Sequence, residues 1–294
     1  MKSFLITGAS GFIGNNFLEK FSNNSSFYYI FLKNTKKNKK FKNSFKDKNK
    51  KFIFFKNNSE IYTSINKLKI NFFINFATYY TKDNNFKNTE QLIKSNILFP
   101  SLILESINKK YLKKVITFGS MQEHYQNKDY MPDCLYAATK KSLDKLFFFH
   151  KIKLTKIKFY NLKFYETYNT NDKRKKLVPI IKKNYINNLT TALASKTLNL
   201  NFLHVDDVCR AVNIIINKNI KSGEYQIQAK KFSNPKNLID KFNKMNFKKI
   251  KYTTKDNNIF NINYNLNKLP YWKQTTNIEN NFNYLLNENY KNKI

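Results

Sequence analysis

Glycine is scarce in this chain of 294 residues, five in all, and three of the five fall within seven residues at Gly8, Gly11 and Gly14. They lie between Lys2-Ser3-Phe4-Leu5-Ile6-Thr7, which reads as a short buried strand, and Phe12 to Phe21, whose apolar residues recur at helical spacing. A strand, a glycine turn and a helix in that order aim the first N–H groups of the helix into the turn, where its dipole favours an anion. Glycine is needed there because a Cβ would stop a pyrophosphate from reaching the backbone. Thr7-Gly8-Ala9-Ser10-Gly11-Phe12-Ile13-Gly14 therefore predicts a dinucleotide-binding turn, with Gly8, Ser10, Gly11, Phe12, Ile13 and Gly14 as its contacts. The spacing is GxxGxxG instead of GxGxxG, and taken alone it would also suit a close-packing turn.

Short apolar runs follow at Phe27 to Leu32, Phe52 to Phe55, Phe72 to Phe76, Val115 to Phe118 and Ile157 to Leu162, with longer amphipathic segments between them. Strands alternating with helices predict a parallel sheet. The expected fold class is α/β, a Rossmann-type doubly wound parallel sheet with a smaller C-terminal substrate lobe. Lys33 to Lys51, almost entirely Lys, Asn, Ser and Phe, reads as a mobile basic connection with room for an irregular helix. Thr167 to Asn201 reads as polar and irregular around one apolar patch, Leu177-Val178-Pro179-Ile180-Ile181. A helix from Val205 to Asn217, a strand at 224–228 and a helix from Asn234 to Met245 complete the pattern. The expected division is a dinucleotide-binding domain over 1–165 and a mainly substrate-binding lobe over 166–294, its strand near 224–228 returning to the main sheet.

A formal net charge of +35 would ordinarily point to nucleic acid or an anionic membrane. Only Arg174 and Arg210 are arginine, however, and sequence-specific readers of nucleic acid depend on the bidentate fork that lysine lacks. Asn, Phe, Ile and Tyr are inflated alongside Lys, as in a biased compositional background, so no specific nucleic-acid partner is expected. Cys134 and Cys209 cannot build a disulfide framework. No apolar run reaches the roughly 18 residues of a membrane span, and Phe4-Leu5-Ile6 is cut at once by glycine. Neither membrane insertion nor a signal peptide is expected, and the cytoplasm is the expected compartment. His124, His150 and His204 lack ligand partners at helical spacing, so no metal is expected. Asp206 and Asp207 suit the start of a helix better than a catalytic carboxylate pair.

A second constellation is Ser120, Tyr136 and Lys140. On a helix Tyr136 and Lys140 share one face, so the ammonium can lie near the phenol and favour its ionised form. Moving a tyrosine from about 10 to neutrality takes roughly 3 pKa units, which a cation and an oxidised nicotinamide could supply together. Ser120 ends the Val115 to Phe118 strand, where parallel-sheet sites are built, and can hydrogen-bond a substrate oxygen. With 19 tyrosines and lysines throughout, an isolated YxxxK pair also arises by chance.

Taken together, these features resemble the short-chain dehydrogenase/reductase family, in particular its extended branch of NAD-dependent nucleotide-sugar epimerases, dehydratases and reductases. Thr7 to Gly14 matches the cofactor loop of that branch, and Asn75-Phe76-Ala77-Thr78 is similar to its segment passing beside the cofactor. Asn96 matches a helix asparagine, Phe118-Gly119-Ser120 the catalytic serine, and Tyr136-Ala137-Ala138-Thr139-Lys140 the YxxxK motif. Phe202 to Val208 resembles a later histidine-valine-aspartate-aspartate signature, and Trp272 to Leu285 a terminal helix. The resemblance implies that Asn75, Ala77, Thr78, Asn96, Tyr136 and Lys140 contact the cofactor, with Lys140 also on its ribose. It implies a substrate site of Ser120, Met121, Gln122, Glu166, Arg174 and Lys176.

Departures narrow the expectation. The Ser120–Tyr136 interval is short for the branch, Tyr168-Asn169-Thr170 replaces a tyrosine-glycine-proline turn, and Met121-Gln122 replaces the acidic pair of the 4,6-dehydratases, which argues against dehydration. Asn171 to Pro179 looks like the same stretch of nucleotide-sugar 4-ketoreductases. The leading expectation is therefore reduction of a keto group on a nucleotide-linked sugar, with Tyr136 donating the proton. A C4 epimerase retaining NAD is the near alternative, and a non-catalytic dinucleotide-binding regulatory or nucleic-acid-associated protein the distant one; a homodimer is compatible with either enzyme. Enzymes of this fold that use NAD place an acid after the second strand, whereas here that strand runs into Lys33-Asn34-Thr35-Lys36-Lys37. NADP(H) is thus expected in preference to NAD(H), with Lys33 as the main 2′-phosphate contact and Lys36 or Lys37 in support.

Overall fold

The computed structural model describes residues 1–23, 25–255 and 261–286. The strands in chain order are β1 (Lys2–Thr7), β2 (Ser26–Lys33), β3 (Lys50–Phe55), β4 (Phe72–Asn75), β5 (Lys114–Phe118), β6 (Lys158–Lys163), β7 (Glu166–Tyr168), β8 (Thr191–Leu193), β9 (Phe202–His204), β10 (Gly223–Gln226) and β11 (Tyr252–Thr254). Seven of them make one parallel sheet in the order β10-β6-β5-β4-β1-β2-β3. The winding reverses between β1 and β4, and the crevice at the carboxyl ends of those two strands is where a doubly wound sheet binds ligands.

The α-helices are α1 (Phe12–Lys20), α2 (Lys36–Asn43), α3 (Ser59–Ile65), α4 (Phe86–Ile93), α5 (Phe99–Ser106), α6 (Leu135–Lys153), α7 (Leu177–Ile186), α8 (Val205–Asn217), α9 (Pro235–Met245) and α10 (Ile278–Leu286). Strand residues alternate between two cores, as the two-residue period requires. Phe4, Ile6, Phe72 and Ile74 pack with Phe17 of α1 and Val208 and Val212 of α8. Leu5, Phe73 and Val115 pack on the other face with Ile61 of α3, Ile103 of α5 and Leu143 of α6. A third core, built on Tyr168, Ile181, Phe202, Ile239, Phe242 and Phe282, is shared by β7, α7, β9, α9 and α10.

Three segments differ from the sequence expectation. Lys33 to Lys51 contains the regular helix α2, because Thr35 Oγ1 accepts the Asn38 N–H and caps it, and β3 begins at Lys50. The apolar patch at 177–181 starts α7, whose Val178, Ile181 and Tyr185 are buried at helical spacing, so Thr167 to Asn201 holds β7, α7 and β8. The terminal helix begins at Ile278, while the residues before it form a strap in which Trp272 Nε1 donates to the Asp207 carbonyl and the Thr275 and Thr276 N–H groups donate to its carboxylate. From 166–294 the main sheet takes the covering helix α8 as well as β10.

Candidate active site

Gly8 sits at φ +66°, and a Cβ on it would lie 2.3 Å from the Ala77 nitrogen; one on Gly14 would lie 2.5 Å from the Gly8 carbonyl oxygen. The β1–α1 turn is thereby pressed against the end of β4 with no room for a side chain. Gly11 is the N-cap of α1 and offers no capping side chain, which leaves the helix N-terminus for another acceptor. Nearby, Asn75 Oδ1 accepts from Thr7 Oγ1 at 2.6 Å, while its buried Nδ2 has no hydrogen-bond partner among the described residues. A backbone cradle that a Cβ would fill, an uncapped helix start and a spare buried donor fit a dinucleotide phosphate and its neighbouring groups.

Ser10 Oγ donates to Asn38 Oδ1 at 2.8 Å, and Asn38 Nδ2 donates to the Lys33 carbonyl at 2.8 Å, so the turn is tied to the end of β2. Lys33, Lys36 and Lys37 are exposed at that end. The Arg174 guanidinium lies 3.8 Å over the Phe12 ring. Arg174 is also pinned by two bonds to Asp172 and one to the Thr167 carbonyl, so it ties the segment between β7 and α7 to the start of α1.

The Asn96 side chain makes four hydrogen bonds within the protein. It stands in a π-helical turn (Lys94–Leu98) between α4 and α5, and its amide is fully engaged. Oδ1 accepts from the Tyr79 N–H and Thr78 Oγ1, and Nδ2 donates to the Tyr79 carbonyl and Thr139 Oγ1. Asn96 thus ties the loop after β4 to α6, and has no group left for a cofactor.

Tyr136 and Lys140 occupy the first turns of α6, as their spacing predicts. The Tyr136 ring meets Tyr80 edge-on at 4.8 Å, and Thr78 stands near its phenol. Burial raises the Tyr136 phenol well above its ordinary value and keeps it protonated. Burial lowers the Lys140 ammonium to about 8, against the opposing charge of Glu123.

Ser120 lies two residues past the end of β5 and caps a 3₁₀ turn. Its Oγ accepts the Gln122 N–H, and its own N–H donates to Glu123 Oε1 at 2.8 Å in a reciprocal capping box. Met121 is completely buried. Gln122 Nε2 donates to Asp133, which also pairs with Lys82 at 3.0 Å. Lys176 is held by Glu166 at 3.1 Å, and its ammonium lies 3.8 Å over the face of Tyr80. Glu166 and Lys176 are therefore joined to Tyr136 through one aromatic ring.

Sequence reasoning missed Tyr80 and Glu123. Nothing distinguishes Tyr80 among 19 tyrosines, whereas Ser120-Met121-Gln122-Glu123 is the S-x-x-E pattern of a capping box and was open to detection. His204 caps α8, and Asp206 and Asp207 occupy its first turn. His124 is buried against the Tyr264 ring at 4.2 Å, and His150 pairs with Glu105 at 3.3 Å. Burial pushes the free Cys134 thiol up to about 11. Among the described residues no group of three or more His, Cys, Asp or Glu is placed to hold a metal ion, and no helix is long and apolar enough to cross a membrane.

A glycine turn at the switch point of a doubly wound sheet, facing a tyrosine–lysine pair, defines a dinucleotide-dependent enzyme. Over residues 4–227 the sequence matches the NAD dependent epimerase/dehydratase family, and the chain belongs to that family. CDP-abequose synthase of Salmonella muenchen is 26% identical over 165 residues, 55% of this chain and 54% of that protein. The chain thus matches about half the length of this curated relative. The fold is similar to that of dTDP-glucose 4,6-dehydratase from Bacillus anthracis (TM-score 0.80, 17% identity, 100% of this chain and 98% of that one). It is also similar to UDP-glucuronic acid 4-epimerase from Bacillus cereus (0.79, 16%, 96% of each chain) and UDP-N-acetylglucosamine 4-epimerase from Methanobrevibacter ruminantium (0.77, 15%, 97% and 96%). The first two of these structures hold NAD.

Proposed function

We propose that the protein reduces a keto group on a nucleotide-linked sugar, a 4-ketoreductase with NADPH as its preferred cofactor. The observation that carries this reading is the half-buried Tyr136, its phenol kept protonated, one helical turn before Lys140 on α6, in a site where the residue after Ser120 is a buried methionine and the next a glutamine tied to Asp133. A reduction needs a proton donor, and the 4,6-dehydratase acids have no counterpart here.

In this reading Gly8, Ser10, Gly11, Phe12, Ile13 and Gly14 hold the pyrophosphate, with Asn75, Ala77 and Thr78 along the cofactor's other side. The nicotinamide, when bound, supplies the hydride. Ser120 orients the substrate carbonyl through Oγ, and Tyr136 gives its phenolic proton to the oxygen as it gains charge. Lys140 keeps that proton transfer favourable and binds the ribose. Lys176, freed from Glu166, is suited to an anionic part of the substrate. Arg174 lines the same side. The missing acid after β2 and the exposed Lys33, Lys36 and Lys37 support NADPH. The division into lobes at 1–165 and 166–294 is part of the proposal. So is a homodimer, supported by the exposed Leu146, Phe148, Phe149 and Ile152 on α6; a monomer in sedimentation would end that part.

The test is a panel of nucleotide-4-keto sugars, with loss of reduced-nicotinamide absorbance followed and products assigned by NMR. Tyr136→Phe should lower the rate by about 10³-fold and leave cofactor affinity nearly unchanged. The assignment is falsified if that variant keeps most of the wild-type rate. Tightly retained NAD with no net consumption of reduced cofactor would make the protein an epimerase instead.

A further inference from the structure

Two turns of the later half of the chain meet at one end of a small ribbon. β8 and β11 pair in parallel, Thr191 opposite Tyr252, and the Thr191 N–H donates to the Lys251 carbonyl at 2.8 Å. The segments that lead into the two strands therefore leave the ribbon side by side at the same end. One is the end of α7, closed by Asn188 at φ +57° with the Leu189 N–H donating to the Asn184 carbonyl. The other is the turn from Met245 to Lys251 that follows α9. Lys248 joins them, since its Nζ donates to the Ile186 carbonyl at 3.3 Å and lies 4.6 Å over the Tyr185 ring.

The tip so formed is apolar at its summit and basic around it. Phe247 is fully exposed, and Ile186, Leu189 and Met245 are 52%, 53% and 56% exposed. A helix end of this kind commonly tucks the residue at the Leu189 position against the last turn, but the residue it would meet there is Asn184. Lys183, Lys244, Lys248 and Lys249 are exposed beside these side chains, and neither 173–205 nor 241–255 contains an Asp or Glu. Asp240, just before the second segment, is held by Lys236 at 2.7 Å and by the Tyr252 hydroxyl. Exposed apolar side chains rimmed by charge of one sign suit a partner that is apolar within and anionic at its surface.

We propose that this tip docks peripherally on an anionic lipid bilayer, with Phe247, Met245, Ile186 and Leu189 entering between the headgroups and the four lysines facing the lipid phosphates and carboxylates. The residue types favour that occupant. Protein interfaces are anchored by Arg, Tyr and Trp and are depleted in Lys, whereas all four cations of the tip are Lys. Lysine is a point charge on a flexible stem, which suits a fluid array of headgroups better than the fixed geometry of a base edge. Against a second copy of itself the tip would set ammonium against ammonium. The exposed apolar face of α6 differs in this respect, because His150 there pairs with Glu105 and the face carries both signs. Side chains on turns reach only the headgroup boundary, so no spanning helix is involved.

The test uses the full chain without substrate, so its outcome is independent of the reaction assigned to the crevice. In co-sedimentation at about 0.1 M salt the protein should bind phosphatidylcholine vesicles containing about a third phosphatidylserine, and should not bind phosphatidylcholine alone. Phe247→Ser should weaken binding about tenfold, and Lys183→Glu/Lys244→Glu about a hundredfold. A net charge of +35 calls for a control against diffuse attraction. Lys39→Glu/Lys40→Glu, on the exposed α2, removes the same charge and should leave the affinity within about twofold. Every substituted side chain is exposed, so the cores stay intact in all of these variants. Wild-type protein that ignores the anionic vesicles overturns the proposal, and so does an equal loss in the two lysine pairs. A loss in the tip lysine pair with none in Phe247→Ser would make the partner a soluble polyanion and overturn it as well.

Discussion

The crevice has two walls built on opposite principles. The β1–α1 wall is almost all backbone, where Gly8 and Gly14 press against neighbouring main chain at separations no Cβ could occupy. The β5–β6 wall is held by side-chain charge, with Glu123, Lys163, Glu224 and Lys141 linked behind Ser120. One wall cannot take an added atom, and the other cannot lose a charge. The first presents N–H groups at fixed positions, which suits binding; the second fixes the Ser120 backbone, which suits chemistry.

Substitutions can break this contrast. Lys163→Met should have the largest effect on stability, about 3–5 kcal/mol in denaturant unfolding, because it strands the Glu123 carboxylate in the interior. An unaltered midpoint would show that charge does not hold that wall. Gly8→Ala should cost about 2–3 kcal/mol through its positive φ and its collision with Ala77, and should abolish nicotinamide-cofactor binding by fluorescence titration. Normal cofactor affinity in that variant would show that the turn has room to give.

Lys33→Asp should reverse the cofactor preference, with an expected loss of about tenfold in NADPH efficiency relative to NADH. Equal efficiency of the two cofactors in the wild type would remove the basis for this site. The smallest expected effect is a pH dependence. Burial and the adjacent Glu224 push the Asp144 carboxyl up to about 7, while in the unfolded chain it titrates near about 3.9. Between those values the folded protein holds a proton that the unfolded chain has released. The stability this contributes is full below about pH 4 and is lost as pH rises through about 7. Asp144→Asn is neutral throughout, so the wild type should lose ground to it between about pH 4 and pH 7, by no more than about 1.4 kcal/mol per pH unit in urea unfolding. Parallel curves for the two proteins would show that Asp144 does not hold that proton.

The backbone wall was legible in the sequence, and the charged wall was not, for a physical reason. Glycine tolerates replacement so poorly in a close-packed turn that its position carries information even in a chain dominated by Lys and Asn. The fixed helical pitch likewise brings Tyr136 and Lys140 to one face from their spacing alone. Lys163 looks the same in sequence as dozens of surface lysines, and its partners Glu123 and Glu224 meet it only through the pairing of β6 with β5 and β10. Met121 and Asn96 stood at expected motif positions, but tertiary packing decided their roles: the first is sealed in the core, and the second spends its whole amide on Tyr79, Thr78 and Thr139. Pro179 beside lysine runs hid α7, although Val178, Ile181 and Tyr185 kept the helical interval.

The return of β10 to the sheet has a consequence for how the protein is made. On the ribosome, β1 to β6 emerge before any of the C-terminal lobe, and at that stage Lys163 has Glu123 as a partner but lacks Glu224. The outer edge of β6 is also open until Gly223–Gln226 is synthesised, since β10 alone pairs with it on that side of the seven-stranded sheet. A nascent chain stalled before β10 therefore exposes a strand edge beside an incompletely neutralised lysine, which makes that interval of synthesis the one in which a chaperone has most to shield.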